Sequence, residues 1–418
     1  MTPFIASLLP PAFAKPRFRL FAAGQLVSVL GSWIQQVALS WLVFRLTGSV
    51  FLLGVTGFLL MIPHLFIAPV AGFVIDRVPR VKALLVIYAV LAILSSGLAA
   101  CAWASVARIE VYLTLAVLIG VCNACEAPAR QTLLGAIVEE RALLPSAIGF
   151  NSVLFNTGRM VGPAIAGVLL QVFSEAVCFS INAVSFVAII GALLAMRLPD
   201  VPSPVAAGQT GGPAVAETLR RLMDLPVARY LLPSASAVSM FALSLNHLMP
   251  SVARDFFEGD AGTVGLLLSA SGFGALGGAL FLSMQKNHRV QLHLVQVAPL
   301  IAGLALIGFS LSRTFWLSAA LLAVMGASVL STSVSTNTLL QQSVEDDWRG
   351  RVIGLYFTFF LGVAPLGNLL AGALAARLGL GPTLAFNGCM IVFAAVLAQV
   401  RLRATPGERL RLRESVRL

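Results

Sequence analysis

The sequence predicts an all-α membrane protein with twelve transmembrane helices in two parallel six-helix repeats. Three observations carry this expectation. The 418 residues are 58% hydrophobic and only 11% charged, where a typical soluble domain is about 25% charged. The apolar residues fall into twelve runs, each long enough to cross a hydrocarbon core as a helix of about 20 residues. Short strings from the first half recur in the second at a nearly constant offset.

The runs lie at roughly 20–44, 50–75, 83–104, 110–134, 146–172, 176–196, 229–250, 262–283, 291–311, 314–337, 350–376 and 381–400, each bounded by charge, Gly or Pro. The tenth contains "ASVLSTSVSTNTLLQQ", which is polar for a span. The runs divide the chain into a tail (1–19), a first bundle (20–196), a linker (197–228), a second bundle (229–400) and a basic tail (401–418). The linker holds the Pro- and Gly-rich "LPDVPSPVAAGQTGGP". Behind it, "AVAETLRRLMD" places Val215, Leu219 and Leu222 on one face, which predicts a short helix on the membrane surface. The basic tail is a topology signal that could also touch anionic lipid.

The net charge of +11 does not indicate a nucleic-acid partner, because the charges sit between spans and in the tails. With the N-terminus inside, 21 Lys and Arg fall on inner segments and 5 on outer loops. Both termini are therefore expected in the cytoplasm, with the chain crossing the inner membrane. The opening "MTPFIASLLPPAFAKPRFRL" has its basic residues after its apolar part, the wrong order for a cleaved signal peptide. The five cysteines all lie in apolar spans. Cys122 and Cys125 form C-x-x-C without a second pair or a nearby His, so neither a metal nor a cofactor is expected. No Walker motif is present. "GFGALG" (272–277) fits a dinucleotide fingerprint letter for letter, but no strand precedes it and no acidic partner follows. Gly274 and Gly278 instead suggest a packing face.

The repeat is read from three matches in order. "TLLGAIVEE" (132–140) matches "TLLQQSVED" (338–346) at an offset of 206, "GPAIAG" (162–167) matches "GNLLAG" (367–372) at 205, and "INAV" (181–184) matches "FNGC" (386–389) at 205. Six spans per half is an even number, so both halves insert the same way round. Parallel repeats of this kind are a transporter architecture, with substrate bound near the midplane between them.

"GFVIDRVPRVK" (72–82) resembles the loop signature of the major facilitator superfamily, with Gly72, Asp76, Arg77, Arg80 and Lys82 at the matching positions and Pro79 where the family usually has Gly. The resemblance implies a cytoplasmic gate in which Asp76 pairs with basic groups and a helix end near Arg349 and Arg351. The equivalent second-half loop keeps Gly278 but has Leu282 in place of the acid. In span five, Gly149, Gly158, Gly162, Pro163 and Gly167 resemble the superfamily's antiporter motif, G-x8-G-x3-G-P-x2-G-G, with Ala166 for one Gly. Small residues there let a neighbouring helix approach closely, and in the family the motif marks exporters. "LTGSVFLLG" (46–54), "PARQ" and "GPAIAG" together resemble the branch that contains macrolide exporters and the enterobactin exporter. The family's basic residue early in span four is absent, with Ala116 about there.

Polar stripes with helical spacing run along span one (Gln25, Ser28, Ser32, Gln36), span seven (Ser236, Ser239, Asn246) and span ten (Ser328, Ser331, Thr332, Ser335). The resemblance makes spans one, four, seven and ten line a central cavity. Gln25, Ser32, Gln36, Asn123, Asn156, Asn246, Ser331 and Ser335 are the expected lining; bonds between helices would also account for such stripes.

"NACEAPARQ" (123–131) puts Glu126 and Arg130 one helical turn apart inside an apolar span. A charge at the bilayer centre costs about 2.5–3.5 kcal/mol, so Glu126 must face protein or water. Either it exchanges a proton during transport, or it forms a structural pair with Arg130 or Arg159, since a nearby Arg holds a carboxylate ionised. His64 is another proton-carrier candidate. The resemblance implies an exporter of a small organic molecule, a siderophore or a hydrophobic drug, coupled to protons; a monomer is expected, although the sequence itself does not give the oligomeric state. A non-transporting sensor or assembly partner, and an importer of the same fold, are the alternatives.

Overall fold

The computed structural model describes residues 11–75, 78–138, 140–198, 217, 220, 226–285 and 288–404. Among them, twelve segments are long and apolar enough to cross a membrane. Spans one to six are Pro16–Thr47, Val50–Ile75, Arg80–Trp103, Ile109–Val138, Leu144–Val172 and Glu175–Ala195. Span seven is Pro226–Ala242 and Leu245–Phe257, followed by eight (Ala261–Met284), nine (His288–Leu311) and ten (Phe315–Gln342). Span eleven is Asp346–Leu361 and Ala364–Leu378, and span twelve is Leu380–Ala404. The segment expected to form a surface helix lies mostly outside the described residues; Glu217 and Arg220 are helical and exposed. Successive spans reverse direction. The start of span one and the end of span twelve therefore share one face, here the terminal face, and the short loops at Gly48, Gly379 and 258–260 lie on the distal face.

Span ten is one continuous helix despite its polar sequence. Some of its hydroxyls bond back to the preceding turn, Ser328 to the Val324 carbonyl and Thr332 to the Ser328 carbonyl, each at 2.8 Å, and Ser335 and Thr336 are buried within the protein and away from lipid. Spans seven and eleven, single runs in the sequence, are each two helices. In span seven the chain turns at Leu243–Ser244, and the Phe241 carbonyl freed by the break accepts from Ser244 Oγ (2.9 Å) and Asn387 Nδ2 (3.3 Å). In span eleven the break falls at Gly362–Val363, just before Pro365, whose nitrogen has no hydrogen to donate.

The two halves repeat one packing scheme. In the first, span one packs on five and six, two on four, and three on six; in the second, seven packs on eleven and twelve, eight on ten, and nine on twelve. Two seams join the halves, span two on eleven and span five on eight, which the repeat exchanges. Matched residues do matched jobs. Gly162 lies against Trp33 of span one, and its counterpart Gly367 against the Met240 backbone of span seven. Asn182 donates to Gln35 of span one at 2.9 Å, and its counterpart Asn387 to Ser244 of span seven at 3.3 Å.

Asn182 is fully buried and also accepts from Ser185 Oγ at 2.9 Å. Asn182→Ala strands the Gln35 acceptor, so a loss of about 1–3 kcal/mol is expected. Scanning fluorimetry of purified protein should show an unfolding midpoint several degrees lower; an unchanged midpoint would make this bond dispensable.

Candidate functional site

Glu126 sits in the half of span four nearer the terminal face, about 18 Å from that end of the helix by its twelve-residue separation. Arg130 lies one turn on, and its Nε donates to Glu126 Oε1 at 2.7 Å. Tyr88 of span three donates to the same oxygen at 2.8 Å and lies 3.3 Å from Gln25 Oε1 of span one. Arg130 Nη1 also reaches Asn151 Oδ1 of span five at 3.3 Å, and its guanidinium lies 4.2 Å from the Phe155 ring centroid. One carboxylate thus gathers four helices of the first half. The side chains of Glu126 and Arg130 keep 15% and 9% of their exposure, so the pair is nearly dry. The repeat puts Thr332 and Thr336 at the matching positions of span ten, and the second half therefore has no such pair.

Tyr88 and Asn151 are the members that sequence reasoning missed. Tyr88 left a signal, because a tyrosine deep in an apolar run needs a partner for its hydroxyl. Asn151 left none, since nothing in the sequence brings span five beside Arg130.

The other expected residues divide clearly. His64 is half-buried on span two and shares no side-chain hydrogen bond with the cluster among the described residues. Arg159 does not join the cluster, and Glu126 is paired with Arg130 alone among the described ion pairs. Gln36 and Asn246 share a crevice between spans one, seven and eight, with Trp33 and Leu268 on its walls. Ser32 is exposed, and Asn123 and Asn156 are half-buried. Gln25, Ser331 and Ser335 do not line open space but are buried. Gln25 belongs to the Glu126 cluster, and span ten turns its serines toward span eight, where Ser331 borders Gly278. That seam is the one "GFGALG" serves: Gly274 lies against the Ala323 backbone and Gly278 against Ala327. Of the loop signature, Gly72 falls within span two, while Asp76 and Arg77 lie outside the described residues. Arg80 and Lys82 open span three, and Arg80 Nη1 reaches the Thr132 carbonyl of span four at 3.4 Å.

The span-five glycines form a strip with two faces. Gly158 and Gly162 press on Val29 and Trp33 of span one, whereas Pro163 and Gly167 press on the backbone of span eight at Gly265 and Ala261–Gly262. The matching seam places Gly54 of span two against Gly372 of span eleven. Toward the terminal face the contact fails. Gly272 of span eight still touches the Arg159 and Met160 backbone, but Gly149 has open space around it. Pro145, Gly149 and Ser152, on the stripe of span five that faces span eight higher up, are exposed, as is Ser283 opposite. On this side the halves are closed distally and part below Arg159.

The distal closure has a polar clasp. Asp260 caps span eight, accepting from the Thr263 amide at 3.1 Å, and takes Gln171 Nε2 of span five at 2.7 Å. Burial acts to raise its pKa, but the Gln171 amide and the Thr263 and Gly262 backbone amides outweigh it and hold the carboxyl below the usual 3.8. A depressed pKa stabilises the closed form above the ordinary value and loses that contribution only as pH falls through the lower one. Asp260→Asn should therefore leave the pH profile of transport unchanged between about pH 5 and 8. Proteoliposome flux measured across that range checks this, and a profile displaced by the variant would refute it.

A transmembrane secretion effector profile matches residues 6–417. The chain belongs to this family of the major facilitator superfamily. The family and the relatives below are transporters, not enzymes. Macrolide efflux protein A of Streptococcus pyogenes is 25% identical over 397 residues, covering 92% of this chain and 95% of that protein. The staphyloferrin A transporter of Staphylococcus aureus is 23% identical over 379 residues, covering 88% and 92%. The crystal structure of the nucleoside transporter NupG superposes with a TM-score of 0.71 at 12% identity, covering 92% of this chain and 98% of that one. That likeness establishes the major facilitator fold and nothing about cargo.

Proposed function

We propose that this transporter is a proton-coupled exporter of a small organic molecule, working as a monomer with its terminal face in the cytoplasm. The Lys and Arg asymmetry supports the orientation. With that orientation the seam of spans five and eight is closed outward and parts inward, the arrangement in which an exporter loads. The observation that carries the coupling is the Glu126 cluster, the one nearly dry carboxylate in the middle of a span among the described residues. Glu126 is the proposed proton carrier. Arg130 and Tyr88, which both bond its Oε1, are the groups that would gate proton exchange there. The relatives' names favour efflux of a drug or a siderophore.

Mass spectrometry of cells with and without the protein, under iron starvation and with added macrolide, tests the reading. Retention of an iron chelator only in its absence identifies siderophore export, and macrolide accumulation identifies drug efflux. No change in either count would favour the sensor or importer alternatives.

A further inference from the structure

Arg159 is unlike the other interior charges. Among the described residues, three formal charges lie more than two turns from either end of a span: Glu126, Arg130 and Arg159. The first two neutralise each other at 2.7 Å. Arg159 has no ion pair or side-chain hydrogen bond among the described residues. It lies fifteen residues into span five, about 22 Å from the terminal end and near the midplane. Its backbone is where spans five and eight first meet, against Gly272. On the helix it falls between the face carrying Gly158 and Gly162, turned to span one, and the face carrying Pro163 and Gly167, turned to span eight. That direction points to the axis between the halves. Arg159 is half-buried, and Ser152, two turns nearer the terminal face on the same stripe, is exposed. An unpaired guanidinium thus stands at the closed end of the gap, and the described span interiors carry a net formal charge of one positive unit.

We infer that the transported molecule is an organic anion whose carboxylate or other oxyanion pairs with Arg159 at the apex of the gap. This rests on the exporter reading and names its substrate class. A buried charge is stable only when paired or wetted, and the planar fork of arginine matches an oxyanion with two parallel hydrogen bonds. Such a cargo supplies the missing counter-charge, whereas a cationic one adds to the repulsion.

Two measurements test this. In a background with the five native cysteines changed to alanine, Ser152→Cys places a thiol about 10 Å from Arg159 along the helix. Its modification rates with an anionic and a cationic methanethiosulfonate are compared with those of the exposed Trp103→Cys. The anionic preference should be about tenfold larger at position 152 and should vanish with Arg159→Gln. A ratio equal to that at position 103, or one indifferent to Arg159→Gln, overturns the assignment. Metabolites are then compared among cells with the native protein, without it, and with Arg159→Gln or Arg159→Lys at matched abundance. An organic anion retained without the protein and with Arg159→Gln, and partly released with Arg159→Lys, supports the proposal. Carboxylates and phosphate esters are told apart by their masses. A neutral or cationic compound retained only without the protein overturns the anion assignment but leaves the exporter. If no compound is retained, the exporter reading falls, and the substrate class with it.

Discussion

Glu126→Gln is expected to yield a folded protein that exchanges substrate across the membrane but no longer concentrates it. With one proton exchanged per substrate, a pH step of one unit is worth 1.36 kcal/mol and sustains about a tenfold gradient. The variant should bring that ratio to about one in proteoliposomes while keeping exchange at equal pH. Glutamine preserves the acceptor that Arg130 Nε and Tyr88 Oη use at 2.7 and 2.8 Å, so part of the geometry survives. The cost is the uncompensated Arg130 charge, at most the roughly 3–5 kcal/mol of a broken buried pair. A purely structural pair makes the opposite prediction. Glu126→Gln combined with Arg130→Gln would then restore stability and uphill efflux together. Recovery of efflux in that double variant would end the case for Glu126 as proton carrier.

Gly54→Ala should jam the distal seam. A Cβ there would lie 2.5 Å from the Asn368 carbonyl oxygen and 2.7 Å from Gly372 Cα. Both are backbone atoms, and neither can swing aside as a side-chain tip does. Overpacking of this kind costs about 1–3 kcal/mol, a shift of roughly 5- to 150-fold against the closed state. Gly372→Ala meets Gly54 Cα at 2.8 Å and should behave alike. Transport is expected to fall about tenfold. A cysteine introduced by Val264→Cys, at a buried wall of the spans one, seven and eight crevice, should become reactive from the distal side. Native transport with an unreactive thiol would mean that the seam tolerates the methyl group.

Much of this was legible in the sequence. Apolar run length located every span, because the bilayer has one thickness and helices one rise per residue. The Gly162 and Asn182 strings revealed the repeat because close helix contacts and buried amides admit few residue types. The Glu126–Arg130 pair was visible because one helical turn separates them. Long-range placement was hidden. Periodicity marks a polar face but not whether a cavity or another helix covers it, and so Ser331 and Ser335 read as cavity wall although both are buried, Ser331 beside Gly278 of span eight. The two candidate partners for Glu126 could not be separated until span five was placed, which put Arg159 elsewhere. The breaks in spans seven and eleven also escaped notice, since a proline or serine in an apolar run is compatible with an intact helix.

Those breaks have a mechanical consequence. Spans one and five run unbroken for 32 and 29 residues, whereas their counterparts seven and eleven are each cut into two shorter rods. The first half thus carries the carboxylate on span four and the unpaired guanidinium on span five, each a single continuous helix with one internal proline, Pro128 and Pro163. The second half is jointed, with one articulation in each of the two rods. In a change of state such an assembly is expected to behave less like a symmetric seesaw than like a wrist against a palm, with the second half bending at Leu243–Ser244 and Gly362–Val363.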